Sequence, residues 1–197
     1  MLSWKAKLRL FLARILRILG IIIPFWRPTR KVLFCDLDGT LIVTRSGNTF
    51  PMDENDWEFK YGIKEAIQKY NPSFIFIISN QGGIEKGYVN EKKFALKFDN
   101  IMFEIRKWGT FVVDGMWCAS NDPKNRYRKP NTGMLDLFGW SMELETSRNY
   151  SCLMIGDASG LPGQFSDTDL KCAMNAGINY MDVDEFIRRY TRRSCRI

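Results

Sequence analysis

Five short apolar runs, separated by segments of helical period, constrain this 197-residue chain more than any other feature. The runs are 31–36 (KVLFCD), 73–79 (SFIFIIS), 111–119 (FVVDGMWCA), 151–156 (SCLMIG) and 178–182 (INYMD). Continuous apolar runs of this length read as strands covered on both faces. Helical patterns occupy 62–70, 90–108, 132–145 and 167–176, and a last one, 183–190, follows the fifth run. Strands alternating with helices predict an α/β fold, an open parallel sheet with right-handed crossovers. Ligands of such sheets bind outside the carboxyl ends of the strands, where strand order reverses. The tips of these runs are therefore where chemistry is expected.

The chain contains no histidine. That excludes a Ser-His-Asp triad, an imidazole base and His-ligated zinc or non-haem iron. Catalysis must rest on carboxylates, amines, hydroxyls or thiols, with a hard metal ion as the natural helper. Five scattered cysteines form no C-x-x-C pair, and none is followed six residues later by arginine, so a thiol-phosphatase loop is absent. Cys35, Cys118, Cys152 and Cys172 sit in apolar surroundings and read as small buried hydrophobes of a reducing compartment.

Charge is unevenly placed. The net +7 suggests a general polyanion binder, yet residues 1–35 hold eight Lys/Arg and no acid, and residues 188–197 hold five Arg and no acid. The middle, 36–187, carries 16 bases against all 22 acids, a net of −6. Three segments follow: a basic amphipathic helix at 1–28, an acidic α/β domain at 29–190 and a basic tail at 191–197. In the first, Leu8, Leu12, Ile15, Leu19 and Ile22 share one helical face. Its uninterrupted apolar stretch, 18–26, is nine residues, half of the ~20 needed to span a bilayer. The segment reads as a membrane-surface helix, an organelle presequence engaging import machinery, or a helix packed on its own domain or a partner. The expected setting is intracellular, in nucleus or cytoplasm, with residues 1–26 as the addressing element.

The first run ends in Asp36-Leu37-Asp38-Gly39-Thr40-Leu41. Two carboxylates two residues apart at a strand tip, with a glycine for the turn, suit a nucleophile and a general acid-base. The second run ends in Ser79-Asn80-Gln81-Gly82-Gly83, whose hydroxyl and amides suit a phosphoryl oxygen. Arg126-Tyr127-Arg128-Lys129-Pro130 precedes a helix and offers a fixed ammonium. The fourth run ends in Gly156-Asp157, a further ligand for Mg²⁺. Each signal alone also fits an ordinary turn or a solvated loop; their joint placement at strand tips carries the reading.

In that order, these motifs resemble the haloacid-dehalogenase superfamily of Mg²⁺ phosphohydrolases. The segments around them, including Thr49-Phe50-Pro51, Asp56-Trp57, Arg128-Lys129-Pro130-Asn131-Thr132-Gly133 and Phe165-Ser166-Asp167-Thr168-Asp169, are similar to the 3′-phosphatase domain of polynucleotide kinase. The resemblance spans about 31–186. It implies a Rossmann-like sheet without a large cap domain and removal of 3′-phosphate from nucleic-acid (DNA) ends through an aspartyl-phosphate. Asp36 would be the nucleophile, and Asp38 the general acid and base with its main-chain carbonyl on the metal. Ser79 and Lys129 would hold the phosphoryl group, and Asp157 would complete the metal ligands with Asp36. Gly39, Thr40, Asn80, Gln81 and Arg128 would line the phosphate and substrate, while Asp167 and Asp169 would support from behind. Lys124 and Arg126 would meet the strand backbone, and Trp57 or Tyr127 would stack on a base. No G-x-x-x-x-G-K loop is present, so no kinase domain is expected in these residues. Two alternatives stay open: a phosphatase of sugar or histidinol phosphate, and a membrane-tethered, non-catalytic binding module.

Overall fold

The computed structural model describes residues 29–49, 51–141 and 150–192. The expectations for 1–28 and for most of the basic tail lie outside the described residues.

Five parallel strands form the main sheet: β1 (Arg30–Cys35), β4 (Phe74–Asn80), β5 (Val112–Cys118), β6 (Tyr150–Gly156) and β7 (Asn179–Asp182). Their order is β5-β4-β1-β6-β7. The chain thus builds outward from β1 in one direction, then crosses back to build in the other. The reversal lies at β1, between β4 and β6. Cys35 pairs with Ile77 on one side and Ile155 on the other, so Asp36 emerges between two strand ends.

Side-chain alternation explains the layers. In β1, Leu33 and Cys35 face one core while Val32 and Phe34 face the other; in β4, Ile75 and Ile77 oppose Phe76 and Ile78. The first core is closed by α1 (Ile63–Tyr70), α3 (Glu91–Arg106) and α6 (Val183–Thr191), and the second by α4 (Gly133–Ser141) and α5 (Thr168–Asn175). Burying a Leu or Ile side chain is worth roughly 1.5–3 kcal/mol. Both faces of the sheet are therefore strongly covered, as the unbroken apolar runs predicted. Cys35, Cys118 and Cys172 are buried, Cys152 is half-buried, and all four are free thiols.

Two features were not anticipated. A two-stranded antiparallel hairpin, β2 (Ile42–Val43) with β3 (Glu58–Phe59), follows the β1 tip, and a single helical turn, α2 (Gly82–Glu85), follows β4. The hairpin loop is tied by the buried Asp56 carboxylate, which accepts from Ser46 N, Ser46 Oγ and Met52 N at 2.7, 2.7 and 2.9 Å. Among the described residues there is no second domain over the strand tips, and no helix long and apolar enough to cross a membrane.

Candidate active site

Residues from the ends of β1, β6 and the β5–α4 loop converge on one buried cluster. Asp36 follows β1 directly, its amide donating to Ile155 O of β6 at 3.0 Å. Its carboxylate meets Lys129 Nζ at 2.5 Å and accepts from Thr40 Oγ1 at 3.3 Å. Lys129 Nζ also donates to Ile78 O at 3.0 Å and lies 2.8 Å from Asp169 Oδ1. Asp36, Lys129, Thr40 and Asp169 are each buried. Asp157, one residue past β6, completes the group: carboxylate oxygens of Asp36, Asp157 and Asp169 all lie within 4.8 Å of one another.

Glycines make room for this crowding. Gly39 turns the chain after Asp38 at φ 78°, and a Cβ there would lie 2.1 Å from Asp157 Oδ2. At Gly156 a Cβ would lie 2.3 Å from Asp169 Oδ2. Both positions need glycine because a carboxylate occupies the side-chain space, and Gly39 also because of its backbone.

Electrostatics make this group a fitting seat for a cation. The Asp36 carboxyl is raised to about 8: burial raises it most, Lys129 opposes that, and Asp169 and Asp157 add to the rise. Asp157 is raised by burial and by Asp169. Burial disfavours the Lys129 ammonium, but Asp169 and Asp36 outweigh that and hold it firmly protonated. When ionised, three carboxylates against one ammonium leave two surplus negative charges in a largely buried cluster. Asp169 Oδ1, despite its ion pair, makes no hydrogen bond of good geometry. An all-oxygen donor set with a surplus of two fits a hard divalent cation such as Mg²⁺. Asp38, expected to reach a metal through its main-chain carbonyl, contributes no carboxylate to this group.

Asp38 instead belongs to a second cluster at the mouth of the site. Gln81 Nε2 donates to Asp38 Oδ2 at 2.6 Å and to Ser79 Oγ at 2.8 Å. Ser79 is buried, while the Asp38 side chain is 53% exposed. Lys97 Nζ stands 4.0 Å from Asp38 Oδ1.

Other expected site residues are used differently. Asn80 Nδ2 donates to Lys129 O at 3.0 Å and its Oδ1 accepts from Lys129 N at 2.9 Å, so its amide grips the main chain that carries the lysine. The Gln81 amide N–H is spent on Cys118 O at 2.7 Å, and the Gly39 N–H on Ile42 O at 2.8 Å. Arg128 Nη1 donates to Ser120 O at 2.7 Å, bracing the β5–α4 loop. Asp167 pairs with Lys171 at 2.7 Å on the α5 surface, away from the carboxylate group that Asp169 joins. Lys124 and Arg126 line an open groove of about 790 Å³ with Asn131, Thr132 and Asp136, in the loop that bears Lys129. Trp57 and Tyr127 are half-buried against the two cores, and Arg126 lies over the Tyr127 ring.

Two lysines were missed. Lys60, just past β3, donates to Gly39 O at 3.0 Å and pairs with Asp184 at 3.0 Å, holding the β1 turn to α6. Lys97 lies on the apolar face of α3, and its burial there is the signal that periodicity alone passes over.

Comparison with known proteins identifies the family and the fold. The sequence pattern of the family described as polynucleotide kinase 3 phosphatase matches residues 31–187. The bifunctional polynucleotide phosphatase/kinase of Schizosaccharomyces pombe is 32% identical over 169 residues, covering 81% of this chain and 38% of that protein. The D-glycero-beta-D-manno-heptose-1,7-bisphosphate 7-phosphatase of Mesorhizobium japonicum is 31% identical over 151 residues, 72% of this chain and 65% of that one. This chain thus matches less than two thirds of either relative. The D,D-heptose 1,7-bisphosphate phosphatase of B. bronchiseptica, solved with magnesium and phosphate, shares the fold at TM-score 0.61. It is 17% identical, over 83% of this chain and 89% of that one.

Proposed function

Because the chain belongs to the polynucleotide kinase 3 phosphatase family, within the haloacid-dehalogenase superfamily, we propose that it removes the 3′-phosphate from nucleic-acid ends. The observation that carries this reading is the family match across 31–187 joined to a carboxylate–lysine centre open at its mouth. A polymer end needs such access, whereas a small metabolite gains from a lid that excludes water.

In this reading Asp36 attacks phosphorus. The Asp36 Oδ–P bond forms, the P–O3′ bond breaks, and its electron pair leaves on O3′, which takes the proton of Asp38. Water then attacks the aspartyl-phosphate, gives its proton to Asp38, and releases phosphate and the Asp36 carboxylate. Ser79 and Lys129 hold phosphoryl oxygens through both steps, while Asn80 and Arg128 fix the loop that carries Lys129. Asp36, Asp157 and the Asp38 carbonyl would hold Mg²⁺, with Asp169 behind them bracing Lys129. When bound, such an ion would supply charge neutralisation to Asp36 and to the phosphoryl group. Lys124 and Arg126 meet the strand backbone beyond the terminal nucleotide.

The relative acting on heptose bisphosphate supplies the rival substrate. Purified protein assayed with Mg²⁺ on a 3′-phosphorylated oligonucleotide, its 5′-phosphorylated counterpart and heptose 1,7-bisphosphate separates the two. The 3′-phosphate should give the highest kcat/KM, and chelation should abolish it. Preference for the sugar refutes the substrate assignment.

A further inference from the structure

The one charge seated on the apolar face of α3 is Lys97. The buried positions of this helix are Phe94, Lys97, Phe98, Ile101, Met102 and Ile105, the 3-4 spacing of an amphipathic stripe. Lys97 occupies a position that periodicity assigns to a hydrophobe, and the residue is only 8% exposed. Seating an ammonium there costs several kcal/mol unless a partner offsets it. Its only ionic partner among the described residues is Asp38, with Nζ 4.0 Å from Oδ1. The other carboxylate oxygen, Oδ2, is taken by Gln81 Nε2 at 2.6 Å, and that amide also reaches Ser79 Oγ. Asp38 is thus gripped from two sides, by a charge rooted in the core and by an amide tied to the β4 tip.

We propose that Lys97 is a positioning residue for leaving-group departure: with Gln81 it holds the Asp38 carboxyl over the ester oxygen of the substrate. The inference rests on the phosphomonoesterase reading above. Asp38 is half-exposed, and an unrestrained aspartate in water samples several rotamers. A group that must deliver a proton to one oxygen has to be held to a few tenths of an ångström, and misplacement by about 1 Å costs roughly 100-fold. Lys97 itself touches neither the phosphoryl group nor the carboxylates of Asp36 and Asp157 that would hold the metal; among the site's acids it meets only the Asp38 side chain. Asp36, Lys129 and Ser79 act on phosphorus; Lys97 acts only through Asp38.

This division predicts a dependence on the leaving group. A 3′-phosphate expels an alkoxide that needs protonation, whereas p-nitrophenyl phosphate expels a stable phenolate that does not. kcat/KM reports steps up to the first irreversible one, so it isolates departure of the leaving group from the later hydrolysis. In the full chain, Lys97→Met should lower kcat/KM on a 3′-phosphorylated oligonucleotide by about 10–100-fold. Its kcat/KM on p-nitrophenyl phosphate should fall less than about 3-fold, because proton delivery is the term removed. Lys97→Arg, which keeps the charge, should restore much of the 3′-phosphate rate.

Methionine is apolar and matches the core position, so the fold should survive; should it not, Lys97→Gln carries the same comparison. Equal losses on both substrates, or a change confined to KM, would overturn the proposal. Unaltered protein that turns over neither substrate would overturn the phosphatase reading itself, a distinct outcome from an unchanged ratio.

Discussion

Asp36→Asn should abolish turnover and, in the absence of metal, make the protein more stable. Asp36 is 8% exposed, and one of its carboxylate oxygens lies within 4.8 Å of an oxygen from each of Asp157 and Asp169. At an effective dielectric of about 20, two unit charges at that separation repel by about 3 kcal/mol, so neutralising Asp36 relieves about 7 kcal/mol over two pairs. The same law gives about 7 kcal/mol of lost attraction to Lys129 at 2.5 Å. These cancel, and the remaining cost is that of burying the carboxylate, the main cause of its pKa of about 8 against 3.8. A carboxyl whose folded pKa lies above its unfolded value destabilises increasingly as pH rises between the two. Linkage then puts the advantage of a permanently neutral residue at about 2 kcal/mol at pH 5, rising to about 5 kcal/mol at pH 8. Urea unfolding in chelator at those two pH values measures it, read as a midpoint shift at constant slope. An asparagine variant no more stable than the parent, or a gap that narrows with rising pH, would refute the reasoning.

Two further substitutions test the surroundings. Gly39→Ala should cost about 1–2 kcal/mol of stability for its backbone and lower Mg²⁺ affinity by calorimetry, because its Cβ would displace Asp157. Gly47→Ala is the control: its φ is 77° with nothing within 4 Å, so it should lose stability without losing metal affinity. Asn80→Ala removes both bonds to the Lys129 main chain and should lower kcat by about 10-fold or more through loss of positioning. An unchanged kcat would show that Lys129 is held without it.

Much of the fold is legible in the chain because its central strands, β1, β4 and β6, are largely buried on both faces and therefore rich in unbroken apolar sequence. Each of the five strands of the main sheet begins and ends within one residue of its apolar run. The β2–β3 hairpin escapes that reading because strands of two residues have no period, and its loop is organised by Asp56 rather than by pattern. Within the site, acids at strand tips are readable from position alone, hence Asp36 and Asp157. Distinguishing Asp169 from Asp167 is not, since both flank the start of one helix and only packing turns the first inward and the second toward Lys171. Lys60 and Lys97 belong to no strand-tip motif; the folded chain brings them to the β1 turn. Conversely, Asn80 and Arg128 look like phosphate ligands in a motif, and in the structure the Asn80 amide grips the Lys129 backbone while Arg128 Nη1 is engaged with Ser120 O.

The central claim is that an aspartate at the first strand tip takes the phosphoryl group from a nucleic-acid 3′ end. Its most direct test is a rapid acid quench of the protein with Mg²⁺ and an oligonucleotide carrying a radiolabelled 3′-phosphate, followed by peptide mapping. Transient label on the peptide containing Asp36, lost as free phosphate appears, is the predicted result. Label on any other residue would contradict it, as would release of phosphate by Asp36→Asn at the parent rate.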